Sequence, residues 1–176
     1  MTTAYDVLKY IKAHHRLFGE TQAHKLLYYA QAWTLAWDGA PLFDDEIEAW
    51  QNGPVVRSIR YANPAADPNV PLTDQQKQNI AAVIEHYGKK SGAELGVLTH
   101  TESPWLTVWG DRPRDDACSD PIPHDLMRRE YTLQSLRGQG PHRRAVESPA
   151  AVTGDILSRA SVASRRWRKT LALLAE

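Results

Sequence analysis

Apolar residues recur at helical spacing through most of the chain, and the polar positions between them supply the starts and stops. Thr3 with Asp6 resembles a helix start, and Val7, Leu8 and Ile11 form an apolar face that ends at His14-His15-Arg16. A second helix is expected after Gly19, capped by Thr21, running to about Asp38 with Gly39 as its stop. Leu26, Ala30, Trp33 and Trp37 share one face of it, the spacing of a core-packing stripe. Ile47 to Gln51 alternates like a short extended segment, and Asn52-Gly53 marks a tight turn. Pro54 suits the first position of a helix, so Val55, Val56, Ile59 and Arg60 are expected to begin a third one. Asn63 to Pro71 holds three prolines and reads as a loop.

Thr73 with Gln76 forms a capping-box pattern ahead of Ile80, Val83, Ile84 and Tyr87, and Gly88 closes that helix. Ser91 with Glu94 repeats the pattern, and Ser103-Pro104-Trp105 reads as an N-cap with Pro in the first turn. Arg112 to Pro123 is a Pro- and Asp-rich loop, and His124 to Leu136 suits another helix. Leu136 to Gly154 has the composition of a flexible linker. Beyond it, Ile156, Ala160, Ala163, Trp167, Leu171 and Leu174 line one side of a helix whose other side shows Arg165, Arg166, Arg168 and Lys169. The expected fold is therefore mainly α: a compact helical domain over residues 1–132 with at most a small β element, a linker over 133–154, and a basic amphipathic helix over 155–176.

Composition narrows the function classes. With 176 residues, 42% hydrophobic and 24% charged, the chain can bury a core. No apolar stretch is long enough for a membrane span, and the N-terminus lacks a signal peptide's apolar centre, so a cytoplasmic location is expected. The single cysteine, Cys118, allows no intramolecular disulfide and no multi-Cys zinc cage. Zero formal charge conceals a net −5 in residues 1–132 and +5 in residues 133–176. General nucleic-acid affinity is disfavoured by that balance, while the tail keeps a local basic face.

The seven histidines include no His-x-x-x-His pair, and no phosphate-cradling glycine loop or nucleophile elbow is present, so neither a metal nor a cofactor is expected and the chain does not read as an enzyme. His100 and Glu102 near Trp105 are the nearest thing to an acid/base pair, although such a His-carboxylate contact more commonly closes a helix junction. Glu48 is expected to ion-pair with Lys25 or Arg57 for structural reasons.

Four strings occur in order: Lys25 to Trp33 (KLLYYAQAW), Pro41-Leu42-Phe43, Ile47 to Val56 (IEAWQNGPVV) and Leu98 to Trp105 (LTHTESPW). Together they resemble the Panacea, or SocA-like antitoxin, domain of bacteria and their phages, over roughly Thr3 to Glu130. The resemblance implies a mainly helical fold and a proteic antitoxin, one half of a toxin-antitoxin system, that neutralises a toxin encoded by an adjacent gene through direct binding. It also leaves open an adaptor that delivers its toxin to a protease and a DNA-binding autoregulator. Members of the family pair with unrelated toxins, so the domain implies the role and not the partner. The positions that carry the resemblance, Leu26, Tyr29, Trp33, Trp50, Gly53, Pro54, His100 and Trp105, are read as a shared scaffold.

Contacts that select one toxin are then expected where the chain departs from the pattern: Asp44, Asp45 and Glu46, the loop Arg112 to Pro123, and the tail through Trp167 and Leu171. The tail helix can pack on its own domain, fold into a groove of the toxin, touch DNA or lie on an anionic membrane surface. A homo-oligomer is a further possible assembly.

Overall fold

A computed structural model describes residues 2–143. The element order is α1 (Ala4–His14), α2 (Glu20–Asp38), β1 (Ile47–Trp50), β2 (Gly53–Val56), a 3-10 turn (Arg57–Ile59), α3 (Asp74–Tyr87), α4 (Gly92–Thr99), α5 (Ser103–Trp109) and α6 (His124–Leu136). The described chain is mainly helical with one small two-stranded sheet. The expected basic helix over 155–176 lies outside the described residues.

Local chemistry sets the helix ends. Thr3, Thr73 and Ser91 each accept the N–H three residues on, and Asp6, Gln76 and Glu94 return the bond, so three capping boxes form. The expected cap of α2 is corrected: the helix starts at Glu20 behind Gly19, which offers no side-chain oxygen, and Thr21 lies inside its first turn. α5 is shifted by one residue, with Glu102 as its N-cap and Ser103 inside it. The Ser103 hydroxyl instead donates to Glu130 of α6.

α2 is the central mast. It packs against α1, α3, α4, α6 and β2, and every residue from Gln22 to Leu35 is buried. Its burial thus extends well beyond the single face read from the apolar spacing. The polar residues on it survive burial because each reaches a neighbouring group. Gln22 donates to the carbonyls of Gly88 (3.1 Å) and Lys90 (2.7 Å) and accepts from the Phe18 N–H (2.7 Å). Gln31 accepts from the Leu42 and Phe43 N–H groups and donates to the Phe43 carbonyl, pinning the Pro41-Leu42-Phe43 turn to the mast. Thr34 accepts from Asn79 of α3 at 3.3 Å.

The third helix expected from Pro54 does not form; Gly53–Val56 is a strand, paired antiparallel with β1 from Ile47↔Val56 to Trp50↔Gly53 across the turn Gln51-Asn52. Pro54 lies opposite Ala49, whose N–H points out of the hairpin to the Asp120 carbonyl at 2.9 Å. The missing proline N–H therefore falls where the hairpin asks for no donor. Both outer edges of the hairpin are covered. On β1, Ile122 donates to the Ile47 carbonyl (2.7 Å) beside the Asp120 contact. On β2, the Pro54 carbonyl accepts from Lys25 and the Val56 N–H donates to His24, so α2 side chains stand in for a third strand.

Aromatic rings fill the remainder of the core. Tyr29 stacks on Tyr87 at 4.0 Å, Trp33 donates its indole N–H to the Tyr87 hydroxyl at 3.1 Å, and Tyr131 of α6 meets Tyr28, Tyr29 and Trp33 edge to face. After α6 the chain stays on this core: Gly140 approaches the Trp33 ring so closely that a Cβ there would enter it, and Arg143 pairs with Asp38 at 2.7 Å. Residues 137–143, at the start of the segment expected to be a flexible linker, therefore lie against α2.

Candidate functional site

The first turns of α2 and the turn of the β hairpin enclose a cleft of about 410 Å³. His24 lines it with a side chain only 4% exposed. Because its Nδ1 accepts the Val56 N–H at 3.3 Å, the ring proton sits on Nε2. Among the described residues that Nε2 is buried without a hydrogen-bond partner, 3.6 Å from the exposed carboxylate of Glu20. Burial pushes the imidazole below its usual range, against the smaller opposing pull of Glu20.

Lys25, beside it, is 1% exposed. Its ammonium donates to the Pro54 carbonyl at 3.0 Å and has no carboxylate within 4.0 Å among the described residues. Burial lowers its pKa to about 7. Across the cleft the Arg60 guanidinium lies 4.4 Å over the Trp50 ring and 5.3 Å over that of Tyr61, with its Nε buried and, among the described residues, unpartnered. Arg60 and Glu20 also border a second, more apolar cleft of about 460 Å³, walled by Leu8, Leu17, Ala23, Ile59 and the 92% exposed Tyr61. The two clefts are neighbours along one surface, the first rich in donors and the second apolar.

His100 and Glu102 do not form the acid/base or junction contact expected of them. The His100 ring packs on Trp105 at 4.2 Å, and burial, followed by Arg114 and Lys25, lowers its pKa. Glu102 turns into the core, where it accepts from the Tyr29 (3.1 Å) and Tyr131 (2.7 Å) hydroxyls. Burial raises its pKa to about 7 despite those bonds, and burial likewise raises Tyr28, Tyr29, Tyr87 and Tyr131. This cluster ties α2, α5 and α6 together. Among the described residues no group of three or more His, Cys, Asp or Glu is arranged to hold a metal ion.

Of the residues expected to touch a partner, Asp44 and Glu46 are exposed. Asp45 is engaged within the fold, accepting from the Ala4 N–H at 2.7 Å and from the Ser58 hydroxyl. Trp167 and Leu171 lie outside the described residues. Glu48 pairs with Arg57 at 3.3 Å and accepts the Trp50 indole N–H at 2.7 Å; Lys25 is not its partner. Leu26, Tyr29, Trp33, Gly53, Pro54 and Trp105 are buried, and Trp105 donates to the Trp50 carbonyl at 2.9 Å, while Trp50 and His100 are half-buried. The donor cleft of His24, Lys25 and Arg60 was not read from the chain. Its signal was there: adjacent ionisable residues, His24-Lys25, inside an otherwise apolar and aromatic helix.

No curated protein and no solved structure matches the chain. A family model described as "Antitoxin SocA-like, Panacea domain" matches residues 24–106, a narrower span than the resemblance over Thr3 to Glu130. The match begins at His24 in the donor cleft and takes in the hairpin, α3, α4 and the start of α5. Over residues 24–106 the chain thus matches the model of the SocA-like antitoxin family, the Panacea domain.

Proposed function

We propose that the protein is an antitoxin which neutralises a toxin encoded by an adjacent gene by binding it directly in the cytoplasm, without making or breaking covalent bonds. The observation that carries this reading is the Panacea-domain match over residues 24–106. The geometry is in keeping with it. Lys25 and Glu102 each join elements of the core, through the Pro54 carbonyl and through the Tyr29 and Tyr131 hydroxyls. The surface offers the exposed Asp44 and Glu46, and two clefts side by side, one apolar and one rich in donors. Apolar and aromatic anchors flanked by polar contacts are what a specific protein interface requires. Asp44, Asp45, Glu46, Trp167 and Leu171 are proposed toxin contacts.

The test is to induce the adjacent reading frame alone and together with this chain. Growth arrest in the first case, and rescue with co-purification in the second, are the expected results. A harmless companion, or rescue with no complex at any step, overturns the reading.

A further inference from the structure

Three groups that line the cleft between α2 and the hairpin turn have donor capacity that the described residues do not use. Among those residues His24 Nε2 is buried and unpartnered, Arg60 Nε is buried and unpartnered, and the Lys25 ammonium has one carbonyl acceptor for its three hydrogens. Buried donors in folded proteins are nearly always satisfied, and an amine or guanidinium taken out of water needs a counter-charge. Three such groups around one opening form a site that lacks its acceptor. The first turn of α2, which has no side-chain cap, adds the positive end of a helix dipole at the same place.

We propose that this cleft binds a carboxylate of the protein partner, supplied by an Asp or Glu side chain, with His24, Lys25 and Arg60 as its donors. This rests on the antitoxin reading for the source of the carboxylate and on geometry alone for the site. The charge count selects the ligand. An incoming carboxylate replaces the rim carboxylate of Glu20 one charge for one, whereas a phosphate dianion would bring a second charge to the site. The Arg60 guanidinium, with its Cζ 4.4 Å over the Trp50 ring, is a planar donor fork of the kind a carboxylate accepts. Glu20 is the built-in competitor. It stands 3.6 Å from His24 Nε2 with its side chain 59% exposed, free to swing outward when a partner carboxylate enters. The adjoining apolar cleft then receives a hydrophobic neighbour of that acidic residue on the partner.

The experiment titrates the purified full chain, at constant ionic strength, with N-acetyl-glutamate α-amide, with N-acetyl-leucine and with inorganic phosphate, following the His24 imidazole and Trp50 indole resonances by NMR. Expected is a saturable shift with the glutamate amide, several-fold tighter in Glu20→Gln and lost in Arg60→Gln. Absence of a saturable shift in both wild type and Glu20→Gln overturns the site. Tighter saturation by phosphate, or by the terminal carboxylate of N-acetyl-leucine, overturns the ligand assignment. Glu20 is largely exposed, so its variant keeps the test valid if Arg60→Gln fails to fold.

A second arm measures the wild type and Arg60→Gln against the adjacent-frame protein. About tenfold or greater weakening in the variant is expected. Equal binding by both overturns the partner role of the cleft while leaving the antitoxin reading intact. If the wild type binds no companion, the antitoxin reading fails, and the small-molecule titration still judges the cleft.

Discussion

The Lys25 ammonium, in the second turn of α2, donates to the Pro54 carbonyl at 3.0 Å and so fastens the outer edge of the hairpin to the central helix. Burial brings its pKa down to about 7 from 10.5. Between those values the unfolded chain holds a proton the native state has released, so this group makes stability rise with pH, by at most about 1.4 kcal/mol per pH unit. Below about pH 7 both states are protonated and the contribution to the slope vanishes. Lys25→Met should remove the rise between pH 7 and 10, as read from urea midpoints taken at intervals over that range.

Glu102 predicts the opposite slope at lower pH. Its pKa is raised to about 7 from 4.5 by burial among the tyrosines. Between those values the native state holds a proton the unfolded chain has lost, so stability falls as pH rises through this window. Glu102→Gln keeps an acceptor for Tyr29 and Tyr131 and should flatten the decline between pH 4.5 and 7. A variant that melts in parallel with the wild type across that range would refute the assignment.

Gly53 has φ +89°, and a Cβ built on it would lie 2.7 Å from Thr99 Oγ1 and 2.8 Å from Lys25 Nζ. Gly53→Ala should therefore cost about 3 kcal/mol, combining left-handed strain with overpacking. Chemical denaturation measures the loss. A cost below 1 kcal/mol would show that the α2–hairpin junction is looser than these distances require.

Gln31 is wholly buried and binds three backbone groups of Leu42 and Phe43, with His124 Nε2 at 3.1 Å. Gln31→Leu leaves two N–H groups and a carbonyl without their partner and should cost about 2–4 kcal/mol. Hydrogen exchange should show lost protection at the Leu42 and Phe43 amides specifically; uniform destabilisation without that local signature would contradict the pinning role.

The elements whose signals are local were legible in the chain. Thr73 with Gln76 and Ser91 with Glu94 carry their helix starts in four residues, because each side-chain-to-backbone bond closes within a few positions, whereas the turn read at Asn52-Gly53 falls one residue earlier, at Gln51-Asn52, with Gly53 opening β2. Pro54 was misread because a proline without an N–H suits either a helix start or an outer strand edge, and only the hairpin partner Ala49 distinguishes the two. His100 and Glu102, two positions apart, looked like a pair. In the fold, one packs on Trp105 and the other is claimed by tyrosines of α2 and α6, more than 25 residues away in each direction.

The amino-acid sequence by itself therefore determined a mainly helical domain, most of its boundaries and the family signature, since periodicity and caps act over one or two turns and the signature is a matter of order along the chain. Tertiary structure decided where polar groups found partners and where they did not. His24, Lys25 and Arg60 become a donor-lined cleft only once β2 docks on α2, because desolvation and hydrogen-bond satisfaction depend on which neighbours three-dimensional packing brings within about 3 Å.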